Sequence, residues 1–542
     1  MNTDKMKSYL LACLFAGVVT AMFTACSSDD PVVGDPVKNW AGTTEQFLPK
    51  ETPYTVYYNP AIGRCGDPMP FYDPKAEDFK VLYLQEFDNN MDKRFHPIWG
   101  ASTKDASSYQ SLGEVLPYGE TDYQQDAALG TGCCYYSELD GLYYIYFTAH
   151  NGLCANREVV WRATSPDFKT WTKDQLWEIN GPQYGYSGHD FRDPQIFKND
   201  DGTYRMVIVT YPSAGGKPLF AEFKSSDLRN WVHVGSFKMV WNDRFCECPD
   251  IFKMGNWWYM VFSETPVYSR KVKYLKATSW DNLKNSFDPP AWVDGDEAKS
   301  SLDGRAFYAG KTASNGTDRY IWGWCPIRNN AAADIFKANI DIADDKEPAW
   351  GGALVCHRIV QHADGSLSLG EVPGIKARFD KPQTVSVLAS KGWADGKLTG
   401  ENAYVLYNRL GTSNHISFTV TTATNTDRFG ISMVRGTDAK TYYSFIVNPE
   451  SATRRKINFE EITVEDGVEK SKFIGGGDSN MFNTPSDNTY KIDIYTDNSV
   501  MVMYINDTVC YTHRLYGITK NCWSINGYGG DITVSDVKVS WQ

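Results

Sequence analysis

The segment LYYIYFT, Leu142–Thr148, is a run of aromatic and branched residues, the types that favour a strand packed on its neighbours. Four more segments of the same character follow or precede it: FKVLYLQ (Phe79–Gln85), TYRMVIVT (Thr203–Thr210), WWYMVFS (Trp257–Ser263) and RYIWGW (Arg319–Trp324). Their starts lie roughly sixty residues apart, a period that signals a repeat architecture. Each is preceded by a short motif: GDPMPFYD from Gly66, GTGCCYYS from Gly130, RDPQIFKN from Arg192, ECPDIFKM from Glu247 and LDGRAFYA from Leu302. Most are followed by a Ser/Thr-x-Asp turn leading to an aromatic, as in TKDASSY at Thr103, TSPDFKTW at Thr164, SSDLRNW at Ser225 and TSWDNL at Thr278. Three markers in one order at one spacing predict a β-propeller with three or four strands per unit. Five such units fit between residues 45 and 375. A large β-sandwich or β-helix is the alternative.

Composition agrees. The chain has 542 residues, enough for two to four domains, and 14% of them are aromatic, which favours an all-β protein with a wet groove. A net charge of −12 argues against nucleic-acid binding and against electrostatic docking on anionic lipid. Twelve Cys are too dilute for a disulfide scaffold, and none forms a CxxC pair, so neither a metal nor a cofactor is expected. From residue 377 the pattern changes to alternating Thr, Ser, Asn and Val. YVLYNRL at Tyr404, HISFTVTTA at His415, YYSFIVN at Tyr442 and MVMYIND at Met501 read as strands of a β-sandwich over 377–542.

The N-terminus reads as an export signal over residues 1–25. Lys5 and Lys7 precede the uncharged run Tyr9–Phe23, and small residues lead directly to Cys26. This resembles a bacterial lipoprotein box, which implies lipidation at Cys26, a tether over 26–44 and anchoring at the outer membrane. The expected membrane contact is that anchor alone.

In a propeller the innermost strands line a central channel, and the short motifs are the candidates for those strands. Asp67, Asp193 and Glu247 then occupy near-equivalent positions in units one, three and four. Three carboxylates from distant sequence would meet at one end of one funnel. Cleavage of a glycosidic bond needs paired carboxylates, one as nucleophile or base and one as acid. Singly, each acid reads as a turn or strand-edge residue; together they read as a site.

At these residues the sequence resembles glycoside hydrolase family 32, the β-fructofuranosidases, levanases, inulinases and invertases. FRDPQIF at Phe191 and ECPDIF at Glu247 carry the likeness, supported by LDGRAFYAG at Leu302, GGALVCHRIV at Gly351 and EVPGI at Glu371. The stretch from Ile492 is similar to the last strands of that family's sandwich. The resemblance implies a five-bladed propeller followed by a β-sandwich, and a retaining hydrolase of fructans or fructo-oligosaccharides. It implies Asp67 as nucleophile, Glu247 as general acid/base and Asp193 as transition-state stabiliser, with Arg192, Asp303, Trp99 and Gln85 binding substrate. Cys248 would sit beside the acid. The departure is at the nucleophile: the family's Trp-Met-Asn-Asp-Pro-Asn-Gly reads Arg64-Cys65-Gly66-Asp67-Pro68-Met69-Pro70, without either Asn. Two rivals remain, an inverting arabinan- or xylan-active propeller enzyme and a non-catalytic surface glycan-binding lipoprotein.

Overall fold

The computed structural model describes residues 54–87, 96–239, 245–265, 270–328, 348–435, 441–466, 468–473 and 480–542. The expected signal peptide, Cys26 and the tether lie outside these residues.

In blades 1 to 4 the short motif forms the innermost strand, whereas in blade 5 only its last two residues, Tyr308 and Ala309, enter that strand; each aromatic segment forms the strand beside it. The innermost strands are Arg64–Asp73, Ala128–Tyr136, Tyr186–Lys198, Cys246–Met254 and Tyr308–Ser314. Each pairs antiparallel with the aromatic strand that follows it in sequence, the registers running from Asp73 with Asp78 to Ser314 with Arg319. Each innermost strand also packs on the next, and the fifth packs on the first, so the ring closes at five blades. A bridge between Cys65 and Gly352 ties blades 1 and 5 into one sheet. Closure removes the open edges that would otherwise invite pairing with other chains. Val81, Ile145, Val207, Val261 and Ile321, one from each aromatic strand, are fully buried between blades. Burial of such a side chain stabilises the fold by roughly 1.5–3 kcal/mol.

The Ser/Thr-x-Asp marker is a turn with one construction in three blades. Asp105, Asp167 and Asp227 each accept backbone N–H bonds at 2.8–2.9 Å from the residues two and three further on. The residue after each Asp (Ala106, Phe168, Leu228) has φ of 55°, 61° and 60°. The aspartate side chain replaces the backbone partner that this left-handed residue forgoes. In blade 4 the equivalent stretch forms the helix Trp280–Asn285 instead, capped by Ser279.

After the strand Leu367–Gly370 and the helix Pro373–Ala377, the chain enters a β-sandwich of two eight-stranded sheets. Its strand Ser413–Thr422 alternates buried and half-buried residues, as expected when one face meets the partner sheet. The sandwich is bonded firmly to the ring. Asp497 accepts from the N–H groups of Thr55, Val56 and Tyr57, and Arg514 donates to the carbonyls of Cys325 and Pro326.

Candidate active site

All five innermost strands carry a bulge at the same level. The register breaks at Gly66/Met69, Gly130/Gly132, Arg192/Gln195, Glu247/Asp250 and Tyr308/Lys311. In four blades the bulged residue has positive φ: Asp67 (36°), Asp193 (57°), Cys248 (51°) and Ala309 (54°). The first three are each followed by Pro, which has no N–H to give a ladder and so belongs at a bulge. Left-handed backbone at non-glycine residues is strained, and here it recurs beside the clustered acids.

This register corrects one detail of the sequence reading. Asp67 and Asp193 are bulge residues, but the bulge residue of blade 4 is Cys248. Glu247 stands one position earlier, level with Gly66 and Arg192. The shared proline (Pro68, Pro194, Pro249) is the signal that marks the offset. The offset lets Glu247 reach neighbours the other acids do not: Arg192 Nη2 donates to Oε1 at 2.9 Å and Tyr308 Oη donates to Oε2 at 2.8 Å. Meanwhile the Cys248 backbone N–H donates to Asp193 Oδ2 at 2.8 Å. Cys248 thus acts through its amide, and burial keeps its thiol neutral.

Asp67 is held from two blades. Thr131 Oγ1 donates to Oδ2 at 2.8 Å and Trp324 Nε1 to Oδ1 at 3.0 Å. Burial raises its pKa above the usual Asp value; the Thr131 bond opposes that and the Glu247 charge adds to it. Asp193 is pushed further, up to about 7, chiefly by burial, with Arg192 opposing and Glu247 adding. These mutual terms place the three carboxylates within electrostatic reach of one another. Arg192 is the counter-charge. Its Nη1 donates to Asp190 at 2.8 Å and to Glu158 at 3.3 Å, and its guanidinium lies over the Phe245 ring, 4.4 Å from the centroid. Glu158, backed by His150 and the Phe191 N–H, stays below the usual Glu range.

Gly66 explains the missing Asn. A Cβ at Gly66 would lie 2.1 Å from the Trp350 ring, so the indole occupies the space a side chain there would need. Trp350 also stacks on His96 at 4.2 Å and leans on Trp324. An aromatic wall replaces the amide.

Two expected binding residues sit elsewhere. The Gln85 side chain is fully buried and donates to the carbonyls of Ile62 and Glu86, holding the chain that leads into blade 1. Asp303 precedes the fifth innermost strand and faces the sandwich, where Thr512 donates to it through both N–H and hydroxyl. Trp99 is half-buried with its edge against Phe87. Thr131, Tyr308, Trp324 and Trp350 were not singled out from sequence. Tyr308 and Trp324 lay within the quoted repeats, whereas Trp350 stands in none of them.

A profile described as the glycosyl hydrolases family 32 N-terminal domain matches residues 59–368, and one for the C-terminal domain of its BT1760-like members matches 365–539. The chain belongs to glycoside hydrolase family 32. It is 26% identical over 311 residues to a raffinose invertase of Escherichia coli, and 25% identical over 310 residues to a sucrose-6-phosphate hydrolase of the same species. These alignments cover 54% and 55% of this chain, and each spans 60% of its relative's length. Among solved structures, fructan 1-exohydrolase IIa from Cichorium intybus superposes with a TM-score of 0.64 at 16% identity, covering 91% of this chain and 98% of that one. An exo-inulinase from Aspergillus awamori gives 0.64 at 13% identity, covering 90% and 97%. These likenesses show the five-bladed propeller with its C-terminal sandwich.

Proposed function

We propose that this protein hydrolyses fructofuranosyl linkages in levan, inulin or fructo-oligosaccharides by double displacement. Asp67 attacks the anomeric carbon, and the bond to the leaving oxygen breaks as Glu247 protonates that oxygen. A water then attacks the fructosyl–Asp67 ester, Glu247 takes its proton, and Asp67 leaves as carboxylate. Asp193 binds ring hydroxyls. Arg192 and Tyr308 hold Glu247 in place for both proton transfers. The observation that carries this reading is the clustering of three acids, Asp67 and Asp193 on bulges and Glu247 one residue before a third, with Arg192 bonded to Glu247 and donors from Thr131 and Trp324 aimed at Asp67.

An open depression of about 420 Å3 beside Asp190, lined by Tyr186, His189 and Tyr211 among others, lies next to Arg192 and offers room for further sugar units. The aromatic wall at Trp350 in place of an amide supports a substrate preference distinct from that of the invertase-like relatives. The sequence features at the N-terminus support export and lipidation at Cys26. Loss of acyl labelling in Cys26→Ala tests that part.

The deciding assay measures fructose released from levan, inulin and sucrose by the wild type and by Glu247→Ala, with the first-formed anomer read by NMR. Fructose release with retention, abolished in Glu247→Ala, is expected. No release from any of the three, or inversion, overturns the proposal.

A further inference from the structure

The two donors that grip Asp67 and Glu247 from blade 5 share a cation. Tyr308 and Trp324 face each other across the first two strands of that blade, and their rings meet edge to face with centroids 5.7 Å apart. Tyr308 donates to Glu247 and Trp324 to Asp67, so one aromatic pair serves both acids. The guanidinium of Arg270 lies over both rings, 5.0 Å from the Tyr308 centroid and 5.1 Å from that of Trp324. All three residues are buried, Arg270 at 3% exposure. Arg270 is itself fixed. Its backbone is left-handed, with φ of 52°, just before the blade-4 strand Val272–Ala277, and its Nε donates to the Arg305 carbonyl at 3.2 Å.

A cation held against two ring faces draws electron density from both rings. The phenol O–H and the indole N–H become stronger donors as a result. In a buried setting the charge is weakly screened, so the effect is larger than in water. Burial pushes the Tyr308 hydroxyl well up, and the Arg270 charge works against that push. The near-equal distances mean that both donors gain alike. Arg192 bonds Glu247 directly, whereas Arg270 acts on both acids at one remove.

We propose that Arg270 is a positioning residue for the hydrolysis, holding Trp324 against Asp67 and Tyr308 against Glu247 and strengthening both bonds. This role rests on the double displacement proposed above. In the first step negative charge leaves Asp67 as the ester forms, and it appears on Glu247 as the proton passes to the leaving oxygen. In the second step the charge returns. The two acids must keep their places while they exchange it, and a donor pair braced by one cation anchors both throughout. Arg270 acts through the rings, so its loss disturbs the reacting geometry rather than the binding of substrate.

The test measures fructose release from one fructan by the wild type, Arg270→Gln and Arg270→Lys, with folding checked by near-ultraviolet circular dichroism. Arg270→Gln should lower kcat on the order of 10-fold or more, with KM changed by no more than about twofold. Arg270→Lys keeps a charge over the rings and should recover most of that loss. A background of Tyr308→Phe with Trp324→Phe keeps aromatic rings but removes both donors. There Arg270→Gln should cost less than about threefold, because nothing remains for the cation to act through. A folded Arg270→Gln with the wild-type kcat, a Lys variant as slow as the Gln variant, or an undiminished loss in the donor-free background overturns the proposal. If Arg270→Gln does not fold, Arg270→Met, which fills the space beside the rings without charge, makes the same comparison. A wild type that releases no fructose from any fructan overturns the proposed hydrolysis and this role with it. An active wild type matched by its Arg270 variants overturns this role alone.

Discussion

The two buried clusters built by this propeller differ in how their charges are settled. Around Asp67, Asp193 and Glu247, the Arg192 guanidinium bonds Glu247 and acts on Asp193 while also serving Glu158 and Asp190, and burial and mutual repulsion raise the pKa values of Asp67 and Asp193. Around Asp303, one carboxylate receives three protein donors and faces an imidazole and a thiol. The first cluster is under-compensated and sits on strained bulges. The second is saturated and joins two domains. Under-compensation is what a site needs if incoming substrate is to complete it, and saturation is what an interface needs to stay closed.

The sharpest way to separate the clusters is to remove one acid from each. Asp67→Asn should lower kcat on fructan on the order of 10^4-fold or more, because a covalent step disappears, while the melting temperature holds or rises. Asp303→Ala should do the opposite. Stripping a buried carboxylate from Thr512, Gly304 and His357 should destabilise the fold by about 3–5 kcal/mol. Calorimetry should show that loss, with kcat/KM of the folded protein changed less than about threefold.

Asp193→Asn tests whether the first cluster trades stability for function. Asp193 holds its proton up to about 7, whereas an unfolded Asp releases it near 3.9. Between those values the native state binds more protons than the unfolded state, so its stability falls as pH rises through that window. Removing the carboxylate should therefore raise the melting temperature more at pH 8 than at pH 5, with a loss of activity at both. An equal shift at the two pH values would contradict the assigned strain.

The smallest effect belongs to Thr131→Val. It removes a donor that holds the pKa of Asp67 down, so the acid limb of kcat/KM should move to higher pH. Near neutrality the rate should change little. A shift toward lower pH would show that the Thr131 bond does not favour the ionised nucleophile.

Much of this was legible in the chain. The repeat placed every aromatic strand, and in blades 1, 3 and 4 the motif before it supplied the inner strand and its acid. Arg192 was found because it adjoins Asp193. Gln85 and Asp303 were assigned to substrate by resemblance, yet one supports a loop and the other the sandwich. Their residue types fit either role, and only the partners decide. Tyr308, Trp324 and Thr131 escaped notice because aromatic and hydroxyl residues abound in these strands and nothing local marks the few that reach an acid.

The sequence by itself determined the five-fold repeat, the sandwich after it and the three acids as candidates, because strand periodicity and turn chemistry are local. Tertiary structure alone decided the bulge offset that gives Glu247 its two partners and the indole that fills the space beside Gly66. It also decided the meeting of Asp303, His357 and Cys510 across a domain boundary. Each depends on side chains far apart in the chain, and the closing of the ring onto the sandwich is what brings them within bonding distance.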